Sequence, residues 1–153
     1  MGNYFVMSMR FNKSNASDFG LIPNDARTAI NPKDMTLWIK SSLYDFGWGK
    51  ENGFYKAPLP DFNTLFELAL YSTNRDDMYG AAAIILDNYA DALLIRCEMI
   101  ANDFSQKKEF KKLVELFKLN LPINRSSVIQ KTYEQIQCDY LRWKKISEVA
   151  NNI

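Results

Sequence analysis

The run Asp76-Asp77-Met78-Tyr79-Gly80-Ala81-Ala82-Ala83-Ile84-Ile85-Leu86-Asp87-Asn88-Tyr89 sets Met78, Ala81, Ala82, Ile85, Leu86 and Tyr89 at i, i+3, i+4, i+7, i+8 and i+11. That is the spacing of one helical stripe facing a core. Asp76 or Asp77 is placed to cap this helix, where a carboxylate also suits the positive end of the dipole. Gly80 and the three alanines after it give the helix a slim surface that permits close approach of a neighbouring helix.

The same period extends in both directions. Phe62, Leu65, Phe66 and Ala69 recur behind an Asp61 cap, and Leu93, Cys97, Ile100 and Phe104 recur behind Asp91. Phe110, Leu113, Val114 and Phe117 form another stripe, started by Ser105. Pro122 breaks the chain. Ser127 with Gln130 then reads as a capping box for a long last helix with Ile129, Tyr133, Ile136, Tyr140 and Trp143 on one seam. Connections of a few residues imply antiparallel neighbours. The expected fold is mainly α, with five helices over 61–150 in stacked antiparallel αα-hairpins, HEAT-like or an irregular helical bundle. No clean repeat accompanies it.

The first sixty residues hold four of the five prolines and five of the six glycines, which reads as a loop-rich cap on a single domain spanning 1–153. Within it, Phe5, Met7, Met9 and Phe11 alternate with Val6, Ser8 and Arg10 as a half-buried strand, with Gly53 to Lys56 as the candidate partner strand. Asn31-Pro32 resembles a helix start, giving a short helix with Met35, Trp38, Ile39 and Leu43 on its apolar face.

Composition bounds the chemistry. The chain has 153 residues, 47% hydrophobic and 14% aromatic, enough to offset the ordering entropy of one core. It has no histidine, which removes the usual general base, the Ser-His and Cys-His pairs and the commonest transition-metal ligand. Carboxylate chemistry survives that loss, but the acids fall on polar helix faces. Gly47 and Gly49 lack the strand-to-helix context of a phosphate loop. Cys97 and Cys138 are too few and too far apart for a disulfide framework or a zinc site, so both are expected as buried, reduced side chains. No run is long and apolar enough for a membrane span, and no signal peptide opens the chain. Gly2 is not a myristoylation signal, because Val6 stands where Ser or Thr is needed. The expectation is a cytoplasmic, non-enzymatic protein with no cofactor, no metal and no small-molecule substrate.

Charge is unevenly distributed. Residues 1–60 carry net +2, residues 61–104 carry −6, and residues 105–153 carry +5. Three readings are open. The acidic and basic helices face each other or water; or Glu67, Asp76, Asp77, Asp87, Asp91 and Glu98 form a docking face for a basic protein. In the third, the basic carboxy-terminal half grips nucleic acid through Lys131, Arg142, Lys144 and Lys145. A pI near 7.7 and aromatics on the core seam count against that one.

The block Asp76 to Tyr89, running into Ala92-Leu93-Leu94, resembles helical-hairpin segments of the small immunity proteins that accompany bacterial polymorphic toxins, contact-dependent growth-inhibition systems included. The resemblance covers residues 61–150. It implies a non-enzymatic protein that binds and neutralises a cognate toxin domain, such as a basic nuclease, in the cytoplasm. That family carries no invariant functional residues to transfer, so the acidic candidates rest on the charge count. A helical scaffold or adaptor and a nucleic-acid-associated regulator are the alternatives.

Overall fold

The computed structural model describes residues 2–9 and 15–153. The chain divides into two compact units, Met1–Ile84 and Ile85–Ile153. The fold is mixed α/β, 50% helix and 16% strand, which corrects the mainly helical, HEAT-like expectation. Five α-helices are present among the described residues, and with them a five-stranded antiparallel sheet in place of one or two short strands.

The first unit is built on that sheet. Its strands are β1 (Phe5–Met7), β2 (Ile22–Pro23), β3 (Thr28–Ile30), β4 (Leu37–Asp45) and β5 (Lys50–Lys56), in the spatial order β1-β5-β4-β3-β2. The pairing of β1 with Gly53 to Lys56 holds, in the register Phe5↔Tyr55, Val6↔Phe54, Met7↔Gly53. Yet β1 is buried on both faces rather than half-buried. Val6 packs with Trp38, Ala29, Phe54, Leu21 and Ala16, under the 3-10 helix Ala16–Phe19. Phe5, on the opposite side of the pleat, meets Gly80: a Cβ added at Gly80 would lie 2.3 Å from the Phe5 ring. The slim helix surface therefore admits a strand's phenylalanine, not another helix. Phe11 and Arg10 of the expected alternation lie outside the described residues.

The helix expected after Asn31-Pro32 is a strand. Asn31 Oδ1 accepts from Lys33 N, and Asp34 Oδ1 from Thr36 N and Oγ1, so both side chains fold the chain into a turn rather than cap a helix. Met35 sits there at φ 61° and is exposed. Trp38-Ile39-Lys40-Ser41-Ser42-Leu43-Tyr44 then runs extended, as its β-branched and aromatic residues favour. An irregularity between Ser42 and Asp45 buries Leu43 and Tyr44 together and hides the alternation.

Helix α1 (Phe62–Tyr71) begins as read: Asp61 accepts from Thr64 N at 2.9 Å. Helix α2 (Arg75–Asn88) does not. Its N-terminal side-chain acceptor is Asn74, taking the Asp77 N–H at 3.0 Å. Asp77 is 2% exposed and serves β1 instead, accepting from Asn3 N (2.9 Å), Tyr4 N (2.8 Å) and Phe5 N (3.0 Å). Asp76 accepts from Met7 N at 3.3 Å. Arg75 lies over the rings of Phe46 and Tyr79, within a group that also joins Tyr44 and Trp48.

The second unit comprises the end of α2 with α3 (Ala90–Ala101), α4 (Lys107–Phe117) and α5 (Tyr133–Asn151). Leu93, Leu94, Cys97 and Ile100 of α3 are buried, as are Phe110, Leu113, Leu116 and Phe117 of α4. Phe104, expected to continue the α3 stripe, is 97% exposed on a 3-10 turn. The last helix starts five residues later than the sequence reading had it. Its capping box is Thr132 with Gln135, and its buried positions are Trp143, Ile146, Ser147 and Ala150, while Ile129 and Tyr133 face solvent. Cys97 is buried but Cys138 is exposed, and both are free thiols. No single described helix is long and apolar enough to cross a membrane; α2 and α3 would suffice only together, and they bend by 113° at Tyr89.

Two measurements check this arrangement. Replacing Asp77 by Ala strands three main-chain donors, and each buried orphan costs about 1–3 kcal/mol, so denaturant unfolding should show a loss of about 3 kcal/mol or more. Asp77→Asn keeps one acceptor oxygen and should lose less; equal stability of all three proteins would contradict the edge-strand contact. The thiols should separate cleanly. Burial pushes the Cys97 thiol up to about 12, so a thiol reagent at mildly alkaline pH should label Cys138 alone until denaturant is added. Rapid labelling of both in the native protein would overturn the burial of Cys97.

Candidate partner-binding site

The six acidic candidates do not form one face. Asp77 is internal, and Asp76 is tied to Met7 N and Arg75. Glu67 is exposed on α1 in the first unit. Asp87, Asp91 and Glu98 belong to the second unit, where Asp91 and Glu98 meet basic residues of the carboxy-terminal segment. Glu98 takes a forked contact from Arg142, with Nε donating to Oε2 at 2.9 Å and Nη2 donating to Oε1. Asp91 accepts from Lys131 Nζ with both oxygens at 3.0 Å, and the same ammonium reaches Asp139 at 2.7 Å. These pairs join the acidic segment to the basic carboxy-terminal one. The Asp139 hydrogen bond, then that of Asp91, raises Lys131 above its ordinary value, and the Glu98 contact does the same for Arg142.

Asp87 and Asp91 come together at the α2–α3 corner. They line a cleft of about 310 Å³ with Leu86, Tyr89, Arg125 and Ser127. The negative pole of α2 and the positive pole of α3 meet at this corner, with Asp91 in the first turn of α3. The far wall is organised by Arg125. Its guanidinium donates to the carbonyls of Phe117 (3.1 Å), Ile123 (3.0 Å), Lys118 (2.5 Å) and Leu121 (3.2 Å), and stacks 4.9 Å from the Trp143 ring. One side chain thus satisfies the orphan carbonyls at the end of α4 and closes the loop that follows, with Lys118 turned left-handed at φ 53°. Burial lowers Arg125 from its ordinary value, from so high a start that it stays charged at neutral pH. Trp143 Nε1 donates to Ser126 Oγ at 2.9 Å and fixes the segment next to the cleft.

What that frame holds open is apolar. Val128, Ile129 and Tyr133 are 54%, 77% and 76% exposed. Val128 and Ile129 lie between Ser127, which lines the cleft, and Lys131, which grips Asp91. Sequence reading assigned Ile129 and Tyr133 to the core seam because their spacing fits; the displaced capping box was the signal that could have freed them. The cleft thus sets Asp87 and a Lys131-bound Asp91 against Arg125, with exposed apolar side chains beside it. Among the described residues, no group of three or more Cys, Asp or Glu side chains is arranged to hold a metal ion.

The frame is testable by itself. Arg125→Met should leave four carbonyls without their donor and lower the melting temperature markedly, by an amount corresponding to about 3 kcal/mol. An unchanged melting temperature would show that the clamp contributes nothing. Compared with protein-family models, curated proteins and solved structures, the chain matches none.

Proposed function

We propose that this protein is a non-enzymatic binder of the immunity type, which captures a cognate toxin domain and occludes it through the α2–α3 corner. One observation supports the reading before all others: a cleft lined by Asp87 and Asp91 sits beside three large apolar side chains exposed on a clamped segment. A basic residue of the toxin would approach the cleft at Asp87 and share Asp91 with Lys131. Val128, Ile129 and Tyr133 would supply the apolar contact area, the arrangement of a charged centre with aromatic and aliphatic anchors that concentrates binding energy. Steering by the carboxylates would accelerate encounter with a basic nuclease surface, and added salt would slow it. The resemblance of Asp76 to Leu94 to immunity-protein hairpins points the same way. Of the original six acidic candidates, this reading retains Asp87 and Asp91 as contact residues.

Co-expression with a toxin-domain gene encoded directly upstream tests it. Wild type should rescue growth and bind the purified domain. Asp87→Asn with Asp91→Asn should reduce the association rate, while Ile129→Ser with Tyr133→Ser should raise the dissociation rate, each weakening affinity at least about tenfold. Circular dichroism should be unchanged in both variants, since all four side chains are solvent-exposed. Full rescue and full affinity in both double variants would move the interface elsewhere on the protein. Failure of the wild type to bind or protect against any neighbouring toxin would defeat the immunity reading.

A further inference from the structure

A second cavity in the same unit lies beside the lysine-rich start of α4. It encloses about 390 Å³, walled by Ile100, Phe110, Val149 and Ile153, with Phe104 and Lys107 at its rim. Phe104 is 97% exposed, an extreme for a phenylalanine, on a turn whose backbone is held by hydrogen bonds. Asp103 caps its turn, accepting from Ser105 N at 3.0 Å, Ser105 Oγ at 2.7 Å and Gln106 Nε2 at 2.8 Å, so its carboxylate is already engaged. Helix α4 continues from this rim. Its buried face is Phe110, Leu113, Leu116 and Phe117, and the opposite face carries Lys107, Lys108, Lys111, Glu115 and, just past its end, Lys118. None of these lysines has an ion-pair partner among the described residues.

We propose that this groove and the lysine face of α4 form a docking site for an acidic protein segment that presents an apolar side chain. The groove is walled mainly by apolar side chains, with Asn102 and Asn152 among them, and is large enough for one bulky side chain; Phe104 would close over it as an aromatic anchor. The unpaired lysines select the sign of what surrounds that anchor: carboxylates of a partner would complete pairs that this chain leaves open, at a cost to no existing contact. Nucleic acid fits less well, because single strands require several exposed stacking platforms along a basic track, and here Phe104 is exposed while Phe110 is buried. The site shares no residue with the Asp87–Asp91 cleft, and its test is independent of that reading.

Random short peptides displayed on phage, selected on the immobilised full-length chain, supply the probe. The enriched sequences should be net acidic with a central aromatic or large aliphatic residue. Synthesised and labelled, they should lose affinity at least about tenfold on Phe104→Ala and again on Lys107→Glu/Lys108→Glu/Lys111→Glu, but not on Asp87→Asn/Asp91→Asn. Both groove variants should fold, since Phe104 covers nothing and glutamates suit the first turns of α4. Lys107→Arg/Lys108→Arg/Lys111→Arg should retain binding, separating charge from shape. Enriched peptides that are basic or neutral, or acidic peptides indifferent to Phe104→Ala, would overturn the proposal. So would tight binding of a single-stranded RNA oligonucleotide that the lysine variants abolish, with no acidic peptide enriched.

Discussion

The carboxylate of Asp77 receives the N–H groups of Asn3, Tyr4 and Phe5 inside the first unit, and the sheet edge exists in its present form because of it. Alternate residues of β1 turn their amides towards β5, as Ser8 N does to Asn52 O; the remaining amides would face away with nothing to bind. Asp77 and Asp76 supply the missing acceptors from the first turn of α2, so a helix covers an edge that would otherwise offer a template for strand addition. The contact also imposes Gly80. With α2 held this close, nothing larger than hydrogen fits over Phe5, and a methyl at Gly2 would collide with Asp77 itself. At the other edge β2 is two residues long and ends in Pro23, which needs no such cover.

This dependence explains where the sequence was readable. Four of the five helices begin close to where the apolar period begins, because a stripe at steps of three and four is local information. The tie from Asp77 to Phe5 spans 72 residues and leaves no local trace. Two adjacent aspartates at a helix start look like caps whether or not they cap. The sheet was hidden for two further reasons. Strand β1 is buried on both faces, so it lacks the clean alternation of a half-covered strand, and β4 carries an irregularity that places Leu43 and Tyr44 inward together. Trp38 and Ile39, three and four positions after Met35, fit a helical period by accident of that packing.

The last helix shows the limit of a correct motif. Ser127-x-x-Gln130 and Thr132-x-x-Gln135 are the same signature, and spacing cannot choose between them. Burial decides: Trp143, Ile146 and Ala150 are buried on the helix that packs against α3, which fixes the start at Tyr133 and turns Ile129 out to solvent. The candidate site was legible only in part for the same reason. Asp87 and Asp91 are exposed as read, but the apolar side chains beside them had been assigned to the core.

Charge counted along the chain is a poor guide to charge on a surface. Part of the −6 of residues 61–104 meets part of the +5 of residues 105–153, through Glu98 with Arg142 and Asp91 with Lys131. Exposed pairs of this kind add little stability, on the order of 0–1 kcal/mol each, but they fix side chains that would otherwise sample many rotamers. Lys131 held by two carboxylates restrains the segment that carries Val128 and Ile129, just as Arg125 restrains the loop before it and Asp103 the turn under Phe104. Each of the unit's most exposed apolar side chains thus stands on a hydrogen-bonded frame. Ordering those frames is completed during folding, so a partner that buries Ile129, Tyr133 or Phe104 gains the apolar contact without also immobilising the backbone beneath it, which is the physical condition for tight binding by a small surface.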